Sequence, residues 1–466
     1  MRKNKLLALG LAALMAASVA GCSTPSASVD DTKAAESGSD SSQSAAAGEK
    51  IFRYSNTADI ATIDPDKTNS VADATVSYHI YDGLYRNVQG ELQPATAESY
   101  EVSDDGLVYT FKLRQDTKWS DGQTVTAKDY EYGMKRLCDP AAACPASYLG
   151  AVLKNGAKVS EGELPVDELG VKALDDFTLE ITLENPADYF VSMTSMSAFM
   201  PVREDLVEKY GNEFGGSADK QVYNGPFVVS EYSNGKVELT KNPDYYDNEK
   251  ISLDGVEILT VADQTTAVSM FDAGELDLAE VPTELAAQYE GKTQSYYNGA
   301  DDYAALNHRN KYLANKNLRL AMNYAVNREE YILLTHNGLY QANQRYVLPQ
   351  VRGVDGEYGT EYPLEAFPLQ GDMDKAKEYL DTALSELGLS SASDISLKLV
   401  VSDSDTAKKE AEVVANQWKN NLGINVDINM VPYATKNALL VPDSDEYDII
   451  MSGWAPDYSD PYSYLE

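Results

Sequence analysis

Apolar and polar side chains alternate through Val108-Tyr109-Thr110-Phe111-Lys112-Leu113 and Thr178-Leu179-Glu180-Ile181-Thr182-Leu183, a period of two that predicts half-buried strands. Recurrence at three and four residues predicts helices over Asp129 to Leu137, Thr265 to Ala273, Leu318 to Val326 and Lys375 to Leu387, the last stopped by Gly388. Thr406 to Leu422, closed by Gly423 and followed by Ile424-Asn425-Val426-Asp427-Ile428, reads as a helix feeding a strand. Asn327 with Glu330 three residues on has the form of a capping box that opens another helix. Strands and helices mixed in this way predict an α/β (mixed α+β) protein, and the stretch from Ile51 to Glu466 is longer than one hydrophobic core supports, so two lobes are expected.

The N-terminus departs from this pattern. Arg2, Lys3 and Lys5 precede an apolar run from Leu6 to Ala20, which is too short to cross a bilayer and reads as a cleaved export signal over residues 1–21. Val19-Ala20-Gly21-Cys22 resembles the lipobox of bacterial lipoproteins, which implies a diacylglyceryl group on the Cys22 thiol and membrane attachment through that lipid. Residues 22–50 are rich in Ser, Ala, Gly, Asp and Glu and cannot bury a core, so a disordered tether is expected there. Export puts the folded part outside the cytoplasm.

The net charge of −36 becomes −39 once the three basic residues of the signal are removed, and such a polyanion lacks the basic footprint of a nucleic-acid partner. Cys138 and Cys144 lie six apart in Leu-Cys-Asp-Pro-Ala-Ala-Ala-Cys-Pro. Outside the cytoplasm a small loop-closing disulfide is expected, and with three histidines in the chain and none near this loop, no metal site is.

Several stretches are similar to the bacterial extracellular solute-binding proteins of family 5, typified by oligopeptide and dipeptide binders. They are Ile63-Asp64-Pro65, Ile80-Tyr81-Asp82-Gly83-Leu84, the dense match from Ala97-Glu98-Ser99-Tyr100 through Asp104-Asp105-Gly106 to Lys118-Trp119-Ser120-Asp121-Gly122, then Gly170 to Asp176, Asn224-Gly225-Pro226-Phe227, Lys241 to Tyr246, and Ser452-Gly453-Trp454-Ala455-Pro456-Asp457-Tyr458-Ser459-Asp460-Pro461. The resemblance implies a periplasmic-binding-protein-like (class II, Venus-flytrap) fold: lobe I over 51–84 and 202–302, an inserted subdomain over 85–201, and lobe II over 303–466. It implies a monomer without cofactor that takes oligopeptides between its lobes and passes them to ABC transporter permease subunits. Within the family a nickel or haem chelate, a sugar or a pheromone peptide is the alternative ligand. A surface hydrolase is the rival outside it, but the chain has no His-Glu-x-x-His, no Gly-x-Ser-x-Gly and no Gly-rich phosphate loop.

Carried over by motif, Asp457 takes the α-ammonium of the ligand, a task suited to a carboxylate in a water-poor cleft. The strand through Gly453 and Ala455, with Val71 on the opposing lobe, pairs with the ligand main chain as in strand addition, and Trp454 walls a side-chain pocket. Three departures bear on ligand length: Asn69 stands where oligopeptide binders carry an acid, the segment around Cys144-Pro145 lacks their tyrosine, and Met451 replaces a basic residue six positions before Asp457. His336 and Lys408 are candidate replacement cations, each weighed against an ordinary solvated side chain. The 32 tyrosines against 9 phenylalanines suit a cleft that reads side chains loosely, although most are expected in sheet surface and lobe interface. Family members continue past the Trp-x-x-Asp-Tyr segment, so a chain ending at Glu466 is expected to be C-terminally truncated, with a complete variant as the alternative.

Overall fold

The computed structural model describes residues 49–466 except 69, 234, 365–366, 441–443 and 466. The signal segment, Cys22, the tether as far as Gly48 and Asn69 therefore lie outside the described residues. Sheet pairing begins at Ile51, and just before it Lys50 donates its N–H to Asp254 Oδ2 (2.8 Å) and accepts from the Asp254 N–H (2.9 Å).

In chain order the strands are β1 (Ile51–Asn56), β2 (Tyr85–Val88), β3 (Glu91–Pro94), β4 (Ala97–Val102), β5 (Val108–Leu113), β6 (Val171–Asp175), β7 (Thr178–Thr182), β8 (Phe227–Ser233), β9 (Lys236–Lys241), β10 (Gly255–Thr260), β11 (Asp301–Leu306), β12 (Ser396–Ser402), β13 (Asn425–Val431) and β14 (Ile449–Trp454). Three four-stranded sheets result. β1-β10-β9-β8 joins the first strand in parallel to β10, so that Ile51 faces Gly255 across a gap of two hundred residues of chain. β4-β5-β7-β6 is antiparallel throughout, beside the β2-β3 ribbon. The third sheet runs β11-β14-β12-β13 and contains the helix-to-strand unit read from the sequence: β12, helix Asp405–Leu422, then β13 parallel to β12.

The alternation in β5 and β7 does what a period of two requires: Tyr109, Phe111, Leu113, Leu179 and Ile181 are buried, whereas Thr110, Lys112, Glu180 and Thr182 are more exposed. β7 stops at Thr182, and Leu183 leaves the ladder to bridge Leu153. The predicted helices are present as Ala127–Cys138, Gln264–Asp272, Lys316–Tyr324 and Met373–Leu387, with Gly388 and Gly423 in the left-handed conformation after their helices. At Asn327 only half of the expected capping box forms. Asn327 caps the Glu330 N–H (3.0 Å), but its own N–H goes to Gln417 Oε1 (2.9 Å) from helix Asp405–Leu422 rather than to Glu330.

Two large cores are separate. One gathers Ile63, Val76, Phe111, Trp119, Tyr130, Phe190 and Val237, and so is shared by the first two sheets. The other gathers Leu318, Leu380, Leu399, Trp418 and Ile449 around the third. Many of the motif residues prove to be buried joints. Arg136 donates to Asp64 (2.6 and 2.8 Å) and Asp66 (2.8 Å), Asp82 accepts from Arg86 and Tyr245, and Asn224 closes a reciprocal pair with the Asp82 main chain (3.0 Å each way). Gly225 has no room for a side chain, since a Cβ there would lie 2.5 Å from the Ile80 carbonyl carbon.

The expected Cys138–Cys144 disulfide is not formed. Both are free, buried thiols, and they point apart: the Cys138 Sγ lies where a Cβ on Gly150 would sit, whereas Cys144 donates to the Arg136 carbonyl (3.4 Å). Burial pushes the two thiols up to about 11 and about 12.

Candidate ligand-binding site

β14 is paired along its whole length with β11 but touches β12 only at Ile449 and Ile450. From Met451 onward its second edge is open. The Met451 carbonyl points away from β11, accepting from Lys436 Nζ (3.3 Å), and by strand alternation the main-chain groups of Gly453 face the same open side. Gly453 is exposed, and a Cβ there would lie 2.5 Å from Oδ1 of Asp302, its register partner on β11, so a side chain at 453 would have to displace that carboxylate. Ala455 is exposed just beyond the strand end. Trp454 is half-buried, donates its Nε1 to the Ser463 carbonyl and packs on Val347, Val351 and Tyr464, so it belongs to a small satellite core.

Asp457 follows on the loop, its N–H held by Ser463 Oγ (2.9 Å). Its carboxylate accepts from the hydroxyl of Tyr148 (3.0 Å), and among the described residues no cation is paired with it. Burial raises its pKa, against the Tyr148 bond, which lowers it. Tyr78 approaches from helix Val71–Ile80; burial, then the charge of Asp457 against a bond from the Ser197 backbone, leaves its phenol pKa raised. Next to Asp457, Tyr458 is buried in the first core and stacks on Tyr189 with ring centroids 4.3 Å apart and planes 12° apart.

Val71 is not on a strand. Ser70 caps the Asp73 N–H (3.1 Å), which starts a helix at Val71 and leaves Val71 as its first residue, 85% exposed, with its N–H among those a helix start leaves unpaired. It opens onto a cavity of about 230 Å³ lined also by Asn56, Thr57, Gln264 and Glu280. His336 is not solvated: it is buried, stacked on Tyr340 at 4.0 Å and paired with Glu410 (3.0 Å). Lys408 is exposed on helix Asp405–Leu422. Tyr148, Tyr189 and Lys436 were not singled out from the sequence. For Tyr148 a signal existed, three positions past the Cys144-Pro145 segment where a tyrosine was missed; for Lys436 there was none.

An open strand edge and a carboxylate with no cation beside it among the described residues, carried by a lobe with its own core and facing a second lobe, define a two-lobed periplasmic-binding-protein-like fold. The chain belongs to the bacterial extracellular solute-binding proteins, family 5, whose middle region matches residues 91–466. Oligopeptide-binding protein OppA of Bacillus subtilis (strain 168) is 31% identical over 415 residues, 87% of this chain and 75% of that protein. Periplasmic oligopeptide-binding protein OppA of Salmonella typhimurium is 30% identical over 479 residues, covering 99% of this chain and 82% of its own length. The solved structure of Listeria monocytogenes OppA bound to peptide superposes with a TM-score of 0.72 at 30% identity, over 90% of this chain and 84% of that one.

Proposed function

We propose that this protein is the substrate-binding lipoprotein of an ABC importer, anchored through Cys22, that holds an extended oligopeptide between lobe I (51–84 and 202–302, with 85–201 inserted) and lobe II (303–466) and delivers it to the permease. The observation that carries the reading is Asp457: a half-buried carboxylate between the lobes whose hydroxyl partner, Tyr148, leaves its charge uncompensated. A peptide α-ammonium supplies the missing charge, and the bond strengthens as closure removes water. The open edge at Gly453 supports main-chain pairing, which gives affinity without reading sequence. The N–H of Val71, exposed at a helix start, is a further donor on the opposite side.

Asp457→Ala is expected to weaken peptide binding by about 2–5 kcal/mol, the range for stripping one partner from a buried charge pair, and acetylating the peptide N-terminus should act alike. Calorimetry with peptides identified by mass spectrometry of copurified ligand checks both. Unchanged affinity in the variant would overturn the role of Asp457, and a copurified ligand without an amine would overturn the peptide reading.

A further inference from the structure

We propose that a cavity at the far end of the third sheet, apart from the peptide cleft, is a second ligand site that takes a phosphate group carrying a small organic substituent. The inference does not depend on the peptide reading.

β11 separates the two places. Its first residue, Asp301, pairs with Trp454 at the open edge, whereas its last, Leu306, pairs with Ile449, five residues on and roughly 17 Å away at about 3.4 Å per residue. Beyond Leu306 the chain turns into helix Lys316–Tyr324, and a cavity of about 330 Å³ lies between them. Its lining is Leu306, His308, Lys316, Arg319, Leu320 and Asn323, which brings together two cations and an imidazole without an acid.

In a chain with 74 acidic residues against 38 Lys and Arg, a cation readily finds a carboxylate, as Arg53, Arg86, Arg136 and Arg203 do. Among the described residues, Lys316, Arg319 and His308 have none. Arg319 gives its Nη1 to the Leu313 and Ala314 carbonyls (2.6 and 3.0 Å), which fixes the guanidinium and leaves Nε and Nη2 as a donor pair. Lys316 and His308 make no hydrogen bond or ion pair among the described residues. Carboxylates that flank the segment are engaged elsewhere: Glu386 accepts from the Asn315 and Asn317 amides (2.8 and 2.9 Å), and Asp448 from the Asn310 amide (2.6 Å) and the Lys398 N–H (2.7 Å). Lys316 is also the first residue of its helix, where a cation meets the positive end of the helix, and the first turn holds no acid to offset it. Like charges gathered at one cavity repel, and a bound anion removes that cost. The many acids elsewhere do not cancel the local field, because charge is screened beyond about 8 Å at physiological ionic strength.

The donors decide which anion. A carboxylate, with two oxygens, fills the guanidinium pair and leaves the ammonium and the imidazole unserved, whereas the further oxygens of a phosphate group reach all three. Leu306 and Leu320 make part of the wall apolar, and the volume lies at the small end of the range of about 300–1,000 Å³ for organic ligands, so there is room for a substituent. A free phosphate ester and the headgroup of an anionic lipid share this chemistry.

The test titrates the whole protein by calorimetry, in a phosphate-free buffer, with glycerol 3-phosphate, monomeric short-chain phosphatidylglycerol, inorganic phosphate and acetate. One of the two esters should bind at a single site at least tenfold more tightly than inorganic phosphate or acetate, and the tighter ester tells free ligand from headgroup. Lys316→Glu should weaken that binding at least tenfold without lowering the melting temperature, and Lys316→Arg should keep it. Arg319 is left in place because it also holds two carbonyls. Binding of neither ester, inorganic phosphate or acetate binding as tightly, undiminished binding in Lys316→Glu, or displacement of the ester by added peptide would each overturn the proposal.

Discussion

Arg136→Met tests the joint that ties the segment before helix Val71–Ile80 to the inserted subdomain. The substitution keeps the apolar stem and removes a guanidinium that makes three charge-assisted bonds, at 2.6 and 2.8 Å to Asp64 and 2.8 Å to Asp66. Both carboxylate side chains are essentially inaccessible, at 2% and 0% exposure, so the variant leaves two buried acids side by side without the guanidinium that bridges them. Breaking a buried pair in this way costs about 3–5 kcal/mol. At about 2–4 °C per kcal/mol for a body of this size, the melting transition of the first core should fall by roughly 6–20 °C at pH 7.5. The loss should shrink at pH 5.5. Burial holds the Asp66 carboxyl at about 7, above its unfolded value, so the acid costs stability progressively as pH rises from the unfolded pKa towards the folded one, and the cost is relieved when pH falls and the proton stays bound. Without Arg136, which lowers that pKa, the costly window reaches higher still. Scanning calorimetry at both pH values is the assay. A shift below about 1 °C, or an equal shift at the two pH values, would refute the account.

Peptide affinity should fall on acidification at a higher pH than an ordinary aspartate would give, because burial raises the Asp457 pKa and only its ionised form holds an ammonium; it should fall again as pH rises past the free amine pKa of about 7.7–8.0. Calorimetric titrations across pH check this, and flat affinity between pH 4 and 6 would count against it. Tyr458→Ala removes a buried ring stacked on Tyr189 and should let the lobes part, seen as a larger radius of gyration of the ligand-free protein in solution scattering; an unchanged radius would show that the stack does not hold them. Cys138 and Cys144 should resist thiol labelling in the native protein and both label once it is unfolded without reductant, whereas a recovered bridged peptide would contradict the structure.

Local periodicity made most elements legible before any tertiary contact was known. β5 matches its predicted span, helices ending at Gly388 and Gly423 stop where only glycine adopts the left-handed turn easily, and the dense run from Ala97 to Gly122 placed the chain in its family. These features depend on neighbours within a few residues, and a sequence displays such neighbours directly. The site depends on neighbours it cannot display. Tyr148 meets Asp457 across 309 positions, Gln417 replaces Glu330 in capping the Asn327 N–H, and His336, read as a candidate cation, is already held by Glu410. Val71 begins a helix that Ser70 caps, and the two cysteines are close in sequence while the Cys144 thiol meets the Arg136 carbonyl rather than Cys138. The sequence by itself determined the elements, the family and the presence of a carboxylate at 457, because propensity and motif are local. Which side chains meet that carboxylate was decided only by the packing of two separate cores, which brings distant residues within hydrogen-bond distance.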